Sequence, residues 1–267
     1  WRDDDRWLLC LPVCHVGGLS VLTRSLLARR CVVLHGRFDA DAVLDSVARD
    51  RATLLSVVPT MLRALLERDT AEALPRLRAV LVGGAPTAPS LLAACVARRV
   101  RALTTYGLTE ACSQVTTQRL PPLNAPFTLD TTSGVALEGL TLSIVGDDGR
   151  EAARGEVGRL RVRGGSVMTG YWRHPPLDDA WLDTGDLASL DAEGRLTVHA
   201  RRSDLIVTGG ENVYPAEVEA ALCALDGVAA AMVFGVDDER WGQGVAAALV
   251  RDTADPREET AWLAATG

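Results

Sequence analysis

A chain of 267 residues that is 48% hydrophobic and 24% charged is long enough to bury a full core, with room for one large domain plus part of another. Its net charge of −7 excludes nucleic acid or an anionic membrane as the main partner, because neither attracts an acidic protein. No apolar run approaches the ~20 residues that cross a bilayer, and no charged, apolar, small-residue leader opens the chain, so a cytoplasmic location is expected.

In chain order, residues 7–12 read as a short apolar strand that delivers His15 into a loop with Gly17 and Gly18. Residues 19–30 have helical length and end in Arg29-Arg30, where positive charge suits a helix C-terminus. Residues 31–35 read as a buried strand, 40–51 as an amphipathic helix and 53–58 as another apolar strand. The alternation continues with a helix at 60–68, a strand at 77–82, a helix at 89–98 and a strand at 100–106. Strands separated by helices of this length imply βαβ crossovers and a mainly parallel sheet, with ligands at the carboxyl ends of strands. Gly83-Gly84 and Gly107 lie at such ends.

The pattern changes after about Leu120. A loop at 121–126 leads to short runs at 140–145, 158–163 and 195–200, punctuated by Asp147-Asp148-Gly149 and by residues 191–194. Such turn clusters predict hairpins of an antiparallel sheet or small barrel. After Arg201-Arg202 come a strand at 205–207, a flexible Gly209-Gly210 loop, a helix opened by Pro215, and strands at 228–236 and 245–250. The expected fold is therefore α/β: a mainly parallel sheet with helices over 1–119, a small antiparallel, barrel-like subdomain over 120–200, and a truncated small α+β domain over 201–267. Trp1 is not a methionine, and a helical pattern begins at Arg257 shortly before the sequence stops, which reads as a fragment. Cys10, Cys14, Cys31, Cys95, Cys112 and Cys223 lack paired spacing and read as reduced core residues. Cys10, Cys14 and His15 are not followed by a second ligand pair, so the core reading outweighs a metal cluster there.

Residues 104–114, Thr-Thr-Tyr-Gly-Leu-Thr-Glu-Ala-Cys-Ser-Gln, carry the densest chemistry. The Thr109 hydroxyl suits a phosphate oxygen and the Glu110 carboxylate suits Mg²⁺. Gly107 lets backbone approach a flat or charged ligand, and Tyr106 offers an aromatic face. Asp186, after a glycine turn, can accept both hydroxyls of a ribose or can be a turn aspartate. Arg201 can hold a nucleotide or be one charge of a solvated linker, and His15 can line a pocket or be a satisfied loop histidine. Arg24 lies in a largely apolar helix, so it must reach water along its aliphatic stem or meet an anion.

Five stretches fix the order of these features: Cys14-His-Val-Gly-Gly-Leu-Ser20, Leu81-Val-Gly-Gly-Ala85, Tyr106-Gly-Leu-Thr-Glu110, Trp181-Leu-Asp-Thr-Gly-Asp186, and the segment from Arg201 through Gly209-Gly210 to Glu219. In this order the chain resembles the adenylate-forming enzymes from end to end. Cys112-Ser-Gln114, Val32-Val-Leu-His35 followed by residues 38–46, and Arg202-Ser-Asp204 are similar to the 2-succinylbenzoate–CoA ligase subgroup of menaquinone biosynthesis.

The resemblance implies an acid joined to AMP from ATP, with release of pyrophosphate, and then passed to the thiol of coenzyme A. It implies that Tyr106 stacks on adenine with the backbone of Gly83, Gly84 and Ala85 along its edge, that Thr109 binds a phosphate oxygen, and that Glu110 holds Mg²⁺. Asp186 and Arg201 would take the ribose, Ser203 would be the hinge of the small domain, and Gly209 and Gly210 would border the pantetheine tunnel. His15 would stand at the mouth of the acyl pocket and Arg24 would meet a second substrate carboxylate. The resemblance puts the family's Ser/Thr/Gly-rich phosphate loop ahead of Trp1 and its adenylating lysine beyond Gly267; all 28 basic residues here are arginine, so none replaces that lysine, and Ala200 stands in place of the usual glycine before the arginine. This chain alone is therefore expected to be nearly inactive in adenylation. Another acyl- or aryl-CoA synthetase, a carrier-loading adenylation domain, and a non-catalytic nucleotide-binding module are the alternatives.

Overall fold

The computed structural model describes residues 1–122, 127–177, 180–201, 203–238 and 240–251. The chain forms two compact units, Trp1–His199 and Ala200–Gly267. In the first unit, β1 (Arg6–Leu9), α1 (Val16–Ala28), β2 (Cys31–Leu34), α2 (Ala40–Arg49), β3 (Leu54–Val57), α3 (Pro59–Arg68), β4 (Ala79–Val82), α4 (Pro89–Ala97) and β5 (Ala102–Leu108) alternate as the sequence pattern requires. Local chemistry sets the helix starts. Asp39 caps α2 by accepting the Ala42 N–H at 2.9 Å, and Pro59 and Pro89 occupy first-turn positions whose missing N–H costs nothing.

β6 (Ser113–Thr117) and β7 (Val135–Ala136) complete a seven-stranded sheet of order β2-β1-β3-β4-β5-β6-β7. β2, β1, β3, β4 and β5 run parallel, while β6 and β7 pair antiparallel. The two-residue period of a strand divides the core between the faces of this sheet. Leu8, Leu55, Val57, Val80 and Val82 pack with Val43 and Val47 of α2, Leu62 and Leu65 of α3, and Leu91 and Cys95 of α4. Trp7, Leu9, Leu54, Ala79 and Leu103 cluster instead with Val21 of α1. A four-stranded antiparallel sheet follows, formed by β8 (Leu140–Val145), β9 (Gly158–Gly164), β10 (Leu182–Leu190) and β11 (Leu196–Arg201) in the order β11-β10-β9-β8. Its Ile144, Leu160, Val162, Ala188 and Leu196 pack with Ala111 and Val115, which fixes β10 beside the end of β5.

The second unit holds β12 (Ile206–Thr208), β13 (Glu211–Val213), α5 (Pro215–Cys223), β14 (Val228–Asp238) and β15 (Gly242–Arg251), in a sheet of order β13-β12-β15-β14. Glu219 on α5 accepts the Val233 N–H at 2.9 Å and ties helix to strand. Among the described residues, no helix is long and apolar enough to cross a membrane.

Several local expectations change. The first helix begins at Val16, not Leu19, and takes in Gly17 and Gly18. A Cβ at position 18 would lie 2.3 Å from the Pro12 carbonyl oxygen, so this glycine serves close packing rather than a loop. β2 is not buried: it is the edge strand, and Leu34 is 69% exposed. Residues 209 and 210 form a tight two-residue hairpin turn, with φ of 58° and 87°, between Thr208 and Glu211. Paired positive φ angles are what such a turn demands, and they replace the expected flexible loop. Of the six free cysteines only Cys10 and Cys95 are buried, while Cys14, Cys31 and Cys112 are exposed. The helical pattern at Arg257 and the loop residues 123–126 lie outside the described residues.

Candidate nucleotide and acyl site

The carboxyl ends of β4 and β5 supply the first wall of the site. β4 runs into Gly83, Gly84 and Ala85, of which Gly84 and Ala85 are exposed. A Cβ on Gly83 would stand 2.4 Å from the Thr105 hydroxyl, which donates to the Val82 carbonyl at 3.3 Å. β5 does not break at Gly107 but continues to Leu108, with a register shift between Tyr106 and Gly107 against β6. Gly107 is needed for that pairing, since a Cβ there would fall 1.9 Å from the Ser113 carbonyl oxygen. Thr109, Glu110 and Ala111 then form one turn of 3-10 helix that ends at Cys112, in the left-handed region with φ of 56°.

Three hydrogen bonds bring two distant segments to the end of β5 and this turn. The Tyr106 hydroxyl donates to Asp186 Oδ2 at 2.5 Å, and Asp186 is only 5% exposed. Asp186 occupies the irregular stretch of β10 between Asp183 and Leu187, where the Thr184 hydroxyl accepts its N–H at 3.2 Å. The Tyr171 hydroxyl donates to Glu110 Oε1 at 2.8 Å, and the Met168 N–H donates to the Glu110 carbonyl at 2.8 Å. The bond to Glu110, then burial and the carboxylate's charge, raise the Tyr171 phenol above its ordinary value of 10.0. Thr109 stays exposed. Mg²⁺ is held typically by one or two carboxylates plus substrate phosphates, and Glu110, with one oxygen taken by Tyr171, fits that donor pattern.

Arg24 on α1 reaches β6, where its guanidinium donates to Gln114 Oε1. Burial pulls the Arg24 pKa below its ordinary value, opposed by the electrostatic influence of Cys112. Among the described residues Arg24 has no ion-pair partner. His15 is the exposed N-cap residue of α1 and makes no side-chain cap. It stands nine positions before Arg24, roughly 13 Å at about 1.5 Å per residue, so the two mark different ends of one helix.

In the second unit, Arg201 closes β11 and is exposed, Ser203 donates to Asp204 Oδ1 at 2.8 Å, and Gly209 lies at the hairpin turn with its N–H on the Trp241 carbonyl at 2.8 Å. One hydrogen bond thus joins Tyr106 to Asp186, and Gly83 packs closely on Thr105. Gln114 and Tyr171 are the residues that sequence reasoning left without a role. An antiparallel return of β6 onto β5 was the signal that would have set Gln114 opposite Gly107. A cavity of about 630 Å³ opens elsewhere, between Arg2, Thr53, Arg78 and Arg101 near the amino ends of the parallel strands, and none of the expected site residues line it.

The family model of the AMP-binding enzymes matches residues 1–172, and that of the AMP-binding enzyme C-terminal domain matches residues 217–265. The chain is 42% identical over 266 residues to a 2-succinylbenzoate–CoA ligase of Bacillus pumilus, covering 97% of this chain and 53% of that relative. It thus spans about half the length of the curated relatives it matches. Its fold superimposes on the o-succinylbenzoate CoA synthetase (MenE) of Bacillus subtilis in complex with the acyl-adenylate intermediate OSB-AMP, with a TM-score of 0.87 and 38% identity, covering all of this chain and 55% of that one. The same enzyme in complex with ATP and magnesium ion matches with a TM-score of 0.84 and 39% identity, over 98% of this chain and 55% of that one.

Proposed function

Because the chain belongs to the AMP-binding enzyme family, we propose that it works in an ATP-dependent acid–CoA ligase whose acid is 2-succinylbenzoate, joined first to AMP and then to coenzyme A. The observation that carries this reading is the Tyr106–Asp186 hydrogen bond, which unites the expected adenine and ribose residues from 80 positions apart. In the proposed complex the Tyr106 ring lies on the adenine with Gly83, Gly84 and Ala85 along its edge. Asp186 takes the ribose hydroxyls, Thr109 and backbone at Gly107 face the phosphates, and Glu110 holds Mg²⁺, which would offset charge building on the phosphates. Arg24 meets the second carboxylate of the acid and His15 stands at the pocket mouth.

The proposal extends to the second unit, where Arg201 contacts ribose, Ser203 is the hinge, and Gly209 and Gly210 border the pantetheine path. It keeps the barrel-like reading of 120–200 between the large domain over 1–119 and the small one over 201–267, and a cytoplasmic location. These 267 residues contain no lysine, so lysine-dependent adenylation needs a group they do not supply. The test is thioester formation from ATP, coenzyme A and either 2-succinylbenzoate or a fatty or simple aryl acid, by the protein that carries these residues. Preference for 2-succinylbenzoate is expected; equal or better use of the other acids would overturn the substrate assignment.

A further inference from the structure

Arg24 is half-buried, its charge is disfavoured by burial, and among the described residues no carboxylate answers it. What answers it is the side-chain carbonyl of Gln114. Gln114 is held on β6 directly opposite Gly107, in a pairing that leaves no room for a Cβ at position 107. The amide is therefore fixed by the same β5–β6 register that sets the Tyr106 to Glu110 turn. An amide oxygen can aim a guanidinium, but it cannot neutralise one. A glutamate at this place would form a charge-assisted pair with Arg24 and consume the cation.

We propose that Gln114 is a specificity-determining positioning residue: it fixes the Arg24 guanidinium toward the acyl pocket while leaving its full charge to an acid that carries a second carboxylate. The inference rests on the proposed role of Arg24, and it adds the reason the neighbour is a neutral amide. A guanidinium with five donors gives one N–H to Gln114 and keeps its remaining fork for a bidentate carboxylate contact. Selection between a dicarboxylate and a monocarboxylate of the same shape then depends on position 114, although that side chain need not touch the substrate.

The experiment measures equilibrium binding of 2-succinylbenzoate and of 4-oxo-4-phenylbutanoate, which lacks the ring carboxylate, to the 267-residue chain and to its Arg24→Ala, Gln114→Glu and Gln114→Leu variants. The readout is the ratio of the two dissociation constants, which a loss of packing alone would not move. Gln114→Glu is expected to reduce the preference for the dicarboxylate about tenfold, close to the effect of Arg24→Ala, and Gln114→Leu to reduce it about threefold. Circular dichroism identifies any variant that fails to fold, in which case the other Gln114 variant decides. A preference lost in Arg24→Ala but unchanged in a folded Gln114 variant overturns the inference and leaves the role of Arg24 standing. A preference unchanged in Arg24→Ala, or absent from the unmodified chain, overturns that role and the inference with it.

Discussion

Substituting Gly107 by alanine sets the sharpest steric demand on the site. The new Cβ would lie 1.9 Å from the Ser113 carbonyl oxygen and 2.9 Å from the Gln114 Cα. Both are backbone atoms, so no rotamer change relieves the clash. Restoring an ordinary contact of at least 3.4 Å requires the strands to separate by about 1.5 Å, which stretches a hydrogen bond of ~2.9 Å beyond its working range. Overpacking of this kind costs about 1–3 kcal/mol, and one or two lost ladder bonds at about 1 kcal/mol each bring the total to about 2–5 kcal/mol. At about 2–4 °C per kcal/mol for a unit of this size, the melting temperature should fall by roughly 4–20 °C. Gly36, where an added Cβ meets nothing within 4 Å, is the control, and Gly36→Ala should melt within about 2 °C of the unmodified chain. Differential scanning calorimetry of both variants decides the matter. If Gly107→Ala melts with Gly36→Ala, the tight β5–β6 register that supports the site does not exist.

Three further outcomes are expected. Asp5 is a wholly buried carboxylate paired with Arg78 at 2.6 Å, and Asp5→Asn should destabilise the first unit by about 3 kcal/mol in urea unfolding at pH 7, because it strands the Arg78 charge. Burial raises the Asp5 pKa, but the Arg78 side chain, the Arg2 N–H and the Thr53 hydroxyl together hold it below 3.8; its stabilisation is therefore full above pH 3.8 and is lost as pH falls through the lowered value, so the Asp5→Asn deficit should shrink below about pH 4. A deficit that stays constant down to pH 2 would contradict that assignment. Tyr106→Phe deletes the donor to Asp186 while keeping the aromatic face, and it should weaken AMP binding about tenfold by titration calorimetry, the scale of one charge-assisted hydrogen bond; unchanged affinity would mean that the bond does not organise the site.

The parallel sheet was legible because helices of similar length separate its apolar strands, and that spacing admits little but crossovers. The edge position of β2 was not, since the continuous apolar run at 31–35 looks the same at the edge of a sheet as at its centre. Gly17 and Gly18 misled for a related reason: a glycine pair signals a break in the chain or a close approach, and the sequence does not say which. For the site, the residues of one turn, Tyr106 to Glu110, could be read from their chemistry. Asp186 needed the ordered motifs, because nothing in the sequence between positions 106 and 186 tells which strands meet. Gln114 and Tyr171 escaped because their partners are set by the bulged register of β5 against β6 and by the path of residues 168–171, both consequences of packing.

Titration calorimetry of AMP against the 267-residue chain and its Asp186→Ala variant tests most directly whether these residues form an adenylate site. Measurable binding by the unmodified chain, weakened at least about tenfold in a variant that keeps its far-ultraviolet circular dichroism, is the result expected if the buried carboxylate that receives Tyr106 takes the ribose as proposed. Equal AMP affinity in the two proteins would contradict the account.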